Sequence, residues 1–127
     1  MDIGITKTSS QVEDLSWLLQ RGGYDPLSIT LDMSKFTPAT YAPNGFVRSG
    51  TPLGRITATK LYGPYDAAAT DGRETCAGHL VAFVRVPANG RNAGAALYFA
   101  GVVKESNLPH AIDSAGKTDL AAWIRYV

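Results

Sequence analysis

The rhythm of apolar and polar positions changes near residue 28. Residues 1–28 are mostly polar, and their apolar side chains cluster as Val12, Leu15, Trp17, Leu18 and Leu19. Ser10 and Glu13 have the S-x-x-E spacing of a capping box, in which each side chain accepts the other residue's exposed backbone N–H. Val12, Leu15 and Leu19 then fall at helical spacing, and Gly22 can end the turn in a left-handed cap. An amphipathic helix is predicted between residues 10 and 20. Two or three turns do not recover the cost of nucleation alone, so Trp17, Leu18 and Leu19 need a cover. That cover is either their own domain or a partner.

From Leu27 onward the pattern becomes short apolar stretches between turn signals. Asn44-Gly45, Ser49-Gly50, Asp71-Gly72 and Asn89-Gly90 are turn dipeptides whose second residue tolerates positive φ. Strands are predicted over residues 28–33 (with Ile29 and Leu31 alternating), 53–62, 78–86 and 95–104. Leu80, Ala82, Val84 and Val86 face one way and Val81 and Phe83 the other, the pattern of a strand covered on both sides. Asn89-Gly90 suggests a hairpin-like connection through residues 87–94. Asp113 can cap a helix over 114–122, where Gly116 costs up to about 1 kcal/mol relative to alanine. Residues 124–127 read as a last strand tied into a sheet. The expected fold is mixed α/β and strand-dominated, with one or two short helices.

Composition narrows the function more than it defines it. The chain has 127 residues, 45% of them hydrophobic and 18% charged, which suits one domain with its own core. A net charge of +1 argues against a nucleic-acid binder, which carries a basic excess on one face. No apolar run approaches a membrane span, and the first residues lack the charged and apolar blocks of a signal peptide. The single cysteine, Cys76, rules out an intrachain disulfide, and a soluble protein made in a reducing compartment is expected.

Candidate chemistry is thin. Cys76-x-x-His79 has no second pair of ligands for zinc, and a small buried thiol is the simpler reading. Asp66, Asp71 and Glu74 around Arg73 form the densest carboxylate group. They lack the order of a calcium loop, and Asp71-Gly72 reads as a turn. There is no phosphate loop, dinucleotide fingerprint or nucleophile elbow. No metal, no cofactor and no catalysis are expected.

Two blocks are specific. Residues 49–58 read S-G-T-P-L-G-R-I-T-A, and residues 61–73 read L-Y-G-P-Y-D-A-A-A-T-D-G-R, followed by A-G-H-L at 77–80. This resembles the head decoration proteins of tailed phages, the lambda-type capsid-stabilising family, whose members show S-G-T-x-L-G-x-I-T-A, Y-x-P-Y-D-x-A-A-x-D-G and A-G-x-L. Gly50, Leu53, Gly54, Ile56, Pro64, Tyr65, Asp66, Asp71, Gly72 and Gly78 occupy the motif positions. The tail matches in outline through the apolar strand at 95–103, Leu108-Pro109, a short helix and a final strand. Ser16-Trp17-Leu18 is similar to an element of relatives from actinobacterial phages, which the lambda-type protein lacks.

The resemblance implies a small β-tulip-like fold of residues 29–127 preceded by an N-terminal arm over 1–28. It implies a homotrimer that cements the major capsid protein at threefold and quasi-threefold positions of the expanded head, stabilising it against genome pressure. The protein would assemble in the host cytoplasm and stay on the outer capsid surface, with no nucleic acid and no membrane as partners. Val12, Leu15, Trp17, Leu18, Leu19, Ile29 and Leu31 are the candidate capsid contacts, with Trp17 as anchor because interface energy concentrates in buried aromatics. The alternative is a virion-surface module displaying Tyr62, Tyr65 and Tyr98 to a carbohydrate or host surface.

Overall fold

Each long apolar run of the sequence folds as two short strands rather than one. The computed structural model describes residues 14–127. The run at 53–62 holds β4 (Pro52–Arg55) and the start of β5 (Tyr62–Pro64), joined by a tight reversal. There Ile56 N–H donates to Leu61 O at 2.7 Å, and Lys60 N–H donates to Ile56 O at 2.8 Å. Lys60 takes φ 62° at the corner. The two strands pair antiparallel, with Arg55 opposite Tyr62. The runs at 78–86 and 95–104 break in the same way, into β6 (Cys76–Leu80) and β7 (Val84–Arg85), and into β8 (Ala93–Tyr98) and β9 (Gly101–Val103).

These breaks let one chain serve three sheets. With β2 (Leu27–Leu31), strands β5, β4, β6 and β8 close into a barrel in the order β2-β5-β4-β6-β8. All neighbours are antiparallel except β2 and β5. β7 leaves the barrel to pair with β3 (Phe46–Val47). β9 leaves it to pair with β1 (Leu18–Arg21) and with β10 (Ile124–Tyr126). The expected hairpin at 87–94 is therefore not formed. Its turn exists, with Gly90 N–H donating to Pro87 O at 3.1 Å, but β7 and β8 turn to different partners.

Two helices complete the fold. α1 (Pro38–Tyr41) starts on proline, which loses nothing where the N–H has no helical acceptor. α2 (Ser114–Asp119) starts as predicted, with the Asp113 carboxylate accepting Gly116 N–H at 2.8 Å, and ends three residues earlier than expected. Strand content exceeds helix, in keeping with the expected strand-dominated class.

The first segment corrects the sequence reading. Ser10, Val12 and Glu13 lie outside the described residues, but the described part of the predicted helix is a turn followed by β1. β1 bonds the edge of β9 with a bulge between Leu18 and Gln20, and Lys104 N–H donates to Trp17 O at 2.7 Å. An open edge of β9 offers ladder bonds together with burial of Trp17, which a short isolated helix cannot match. The body accordingly includes Trp17 and β1, and the boundary placed at residue 28 moves N-terminal to them.

Two cores result. Inside the barrel lie Leu31, Leu53, Tyr62, Leu80 and Leu97, with Met33, Phe36 and Val47 at its end. Between the barrel wall and the β1-β9-β10 sheet lie Trp17, Tyr98, Val103, Ile112, Leu120 and Ile124.

Candidate functional site

The two specific sequence blocks fold against each other as one backbone-to-backbone contact. Gly54 in β4 lies so near the chain at Arg73 that a β-carbon would come within 2.6 Å of Arg73 Cα. Gly72, at φ 117°, passes equally close to Arg55 O and Thr57. Thr57 N–H donates to Asp71 O at 2.9 Å and Asp66 N–H donates to Arg73 O at 3.1 Å, which fastens the second block to the first. Leu53 and Ile56 are buried beneath, and Pro64 is buried in β5. Gly78 lies against Tyr98 O with φ 152°. Gly54, Gly72 and Gly78 are thus where two backbones meet, not where a ligand would sit.

The carboxylate group is consumed by this turn. Asp66 accepts Ala68 N–H at 2.9 Å and Glu74 accepts Gly72 N–H at 2.8 Å. Asp71 accepts Arg73 N–H at 3.2 Å and pairs with the Arg73 guanidinium at 3.1 Å. These bonds from Arg73 hold the Asp71 carboxyl below the usual carboxylate range. No cluster of potential metal ligands occurs among the described residues.

His79 and Cys76 are equally committed. The His79 Nδ1–H donates to Gly50 O at 2.9 Å, which leaves Nε2 to accept from the Tyr126 hydroxyl at 2.7 Å. Complete burial pushes its pKa down to about 4, so the imidazole is neutral. Burial pushes the Cys76 thiol up to about 12, and its sulfur faces Gly78 O. Both ring nitrogens of His79 are thus engaged elsewhere than on the Cys76 thiol.

Trp17 is fully buried in its own chain. Its indole N–H donates to Ser49 Oγ at 3.0 Å, and its ring packs on Tyr98 at 5.4 Å and on His79 at 5.6 Å. Gly50, at φ 93°, is the seat: a β-carbon there would meet the indole at 2.9 Å. The S-G of the first block therefore receives the tryptophan of the leader. Trp17 is not available as an exposed capsid anchor, and neither are Ile29 and Leu31, which are buried in the barrel. Leu18 is partly covered by the second core. Leu15 and Leu19 remain exposed, at 39% and 52%, and Val12 lies outside the described residues.

The tyrosines singled out as display residues are not displayed. Tyr62 and Tyr98 are buried, and the Tyr65 hydroxyl donates to Asp113 Oδ1 at 2.7 Å. Burial, and then that bond, raise the Tyr65 pKa. The exposed aromatics are others: Tyr24, Trp123 and the half-buried Phe99, which pack at centroid distances of 5.7, 5.7 and 6.0 Å. Their signal in the sequence is slight. Each stands beside a turn, after Gly22-Gly23, at the end of α2 and at the break between β8 and β9.

A family model described as bacteriophage lambda head decoration protein D matches residues 37–122. No curated protein matches the chain, and no solved structure matches it.

Proposed function

We infer the role of this chain from its family: it belongs to the bacteriophage lambda head decoration protein D family, and so it is a capsid-associated structural protein of the virion. The match over residues 37–122 carries this reading, because it spans both specific blocks and the helix that closes the second core. We propose that the protein acts without catalysis, as a homotrimer that cements the major capsid protein at threefold and quasi-threefold positions on the outside of the expanded head. Assembly takes place in the host cytoplasm. The ring uses a head-to-tail contact that closes on itself, so two different faces of each subunit must match. The barrel supplies a rigid body, and the committed states of His79, Cys76 and the carboxylates fit a protein that offers surface rather than reactive groups.

The arm is shorter than the polar leader of residues 1–28. Trp17 and β1 belong to the body, so the residues before Trp17, with exposed Leu15 beside them, are the arm that touches the shell. Strand addition to a capsid sheet edge is a mode open to such a segment. Three arms on one trimer raise avidity by roughly 10²–10⁴ over one when all engage together.

The test is to mix the purified protein with unexpanded and expanded capsids and count copies bound per particle. Binding confined to expanded capsids, at three copies per local threefold site, is the expected result. Equal binding to both forms, or a stoichiometry unrelated to three, refutes the placement. Deleting residues 1–13 is expected to weaken binding at least tenfold, and unchanged binding refutes the arm while leaving the cement role standing.

A further inference from the structure

The exposed aromatic group lies at one end of the β1-β9-β10 sheet, where it has no role in either core. Tyr24 and Trp123 are 57% and 51% exposed. Each packs its ring against the other and against Phe99, in tilted and edge-to-face contacts, so the rings are braced while much of their surface stays bare. Rings held this way lose little conformational freedom when a ligand arrives.

Two clefts meet at Trp123 and Gly101. One, of about 380 Å³, runs between Trp123 and Tyr24 and carries Gln20 and Arg21 on its wall. The other, of about 550 Å³, runs from Trp123 past Arg125. Both volumes fall in the range of small-molecule sites. Among the described residues no carboxylate lines either cleft, and Asp25, next to Tyr24 in the chain, is outside both linings. Lys117, in the second cleft, is held by Glu105 at 3.2 Å. Arg21 and Arg125 make no ion pair among the described residues. The surface therefore combines bare ring faces, a phenol hydroxyl, an amide and two guanidinium groups that have no ion-pair partner among the described residues.

We propose that Trp123 and Tyr24, with Arg21 and Arg125 to either side, form a binding site for an acidic saccharide bearing uronate carboxylates. The C–H face of a pyranose lies on the electron-rich face of an aromatic ring. The guanidinium groups take the carboxylates in paired hydrogen bonds, and Gln20 and the Tyr24 hydroxyl take ring hydroxyls. A single-stranded nucleic acid fits less well, because tracking its backbone needs a positively charged groove, and among the described residues Arg21 and Arg125 are the only cations here outside an ion pair. The test uses free protein without capsids, so its failure leaves the decoration role standing.

The experiment titrates isotopically labelled full-length protein with oligo-uronate, with neutral dextran oligosaccharide and with a thymidine oligonucleotide, following backbone amide shifts. Oligo-uronate is expected to bind with a Kd of about 1 mM or tighter and to shift the amides of residues 20–24, 99–102 and 121–125. Trp123→Ala is expected to weaken that binding at least tenfold. Arg21→Gln, an exposed change that leaves the rings in place, is expected to weaken oligo-uronate about threefold or more and dextran not at all. Absence of saccharide shifts at about 10 mM overturns the proposal, as do shifts that map elsewhere. Tighter binding of the oligonucleotide than of oligo-uronate at equal salt overturns it in favour of nucleic acid. Self-association that buries Trp123 and is abolished by Trp123→Ala overturns it in favour of a contact between copies.

Discussion

Gly54→Ala is a substitution on which local preference and tertiary structure disagree in sign. Gly54 lies within β4, and glycine in a strand interior is destabilising by roughly 0.5–1 kcal/mol relative to alanine. On that ground alone the change stabilises. In the folded chain the added β-carbon would stand 2.6 Å from Arg73 Cα and 2.7 Å from Arg73 O. Those are backbone atoms, and the turn that carries them is fixed by the Thr57–Asp71 and Asp66–Arg73 bonds and by the Asp71 carboxylate on Arg73. The turn cannot swing aside as a side chain would. Overpacking of this kind costs about 1–3 kcal/mol, and each hydrogen bond loosened adds about 1 kcal/mol. The net expectation is a loss of about 2 kcal/mol. For a domain of this size that lowers the midpoint of thermal unfolding by roughly 6–10 °C. Gly94→Ala is the control. Gly94 lies within β8 with nothing inside 4 Å of its β-carbon position, so propensity acts alone and the midpoint should hold or rise. Both variants are compared with wild type at one protein concentration, since self-association would itself stabilise. A Gly54→Ala midpoint at or above wild type, or equal losses for the two variants, would refute the backbone-contact account of the motif.

Three further outcomes follow from the same contacts. Trp17→Ala removes a fully buried indole and should cost about 3–5 kcal/mol in urea unfolding, whereas Trp17→Phe should cost less because most of the ring packing survives; a loss under about 1 kcal/mol for the alanine variant would place the indole outside the core. His79 has a folded pKa of about 4, below its unfolded value of about 6.5. The unfolded state therefore binds the extra proton between those values, and stability should fall as pH drops from about 6.5 toward 4, by up to about 1.4 kcal/mol per pH unit. An NMR titration in which the His79 imidazole protonates near pH 6.5 would contradict this. Cys76, with its thiol pushed up to about 12, should react with a thiol reagent at pH 8 only after denaturation, and prompt labelling of native protein would show that β6 opens.

The helix at the end of the chain shows how local and tertiary signals divide. Asp113 was readable as its cap because a carboxylate before a helix satisfies an exposed N–H whatever surrounds it. Gly116 read as a weakness in the helix. The structure gives its reason: a β-carbon there would stand 2.9 Å from Ile112 and 3.0 Å from the Tyr65 ring. The Tyr65 contact joins residues far apart in the chain, so no window of sequence contains it. The leader illustrates the converse. Its apolar spacing fits a helix, yet β1 forms because β9 presents an open edge and Gly50 leaves room for the Trp17 indole.

The features legible along the chain were local and chemical. Turn dipeptides, the Asp113 cap, the strand-rich class and the two family blocks all depend on neighbours within a few residues, or on a pattern carried intact in the chain. The lengths and partners of the strands were decided only by the tertiary structure. Apolar runs at 53–62, 78–86 and 95–104 state that residues are buried, but burial against two cores looks the same in sequence as one long strand. The corners at Lys60 and Gly101 appear only once the barrel closes and the outer sheet is laid on it. The same holds for the surface: which aromatics are buried and which are bare is a property of that closure. Trp17 went inside because β9 and Gly50 made a place for it, and Trp123 stayed outside because none was made.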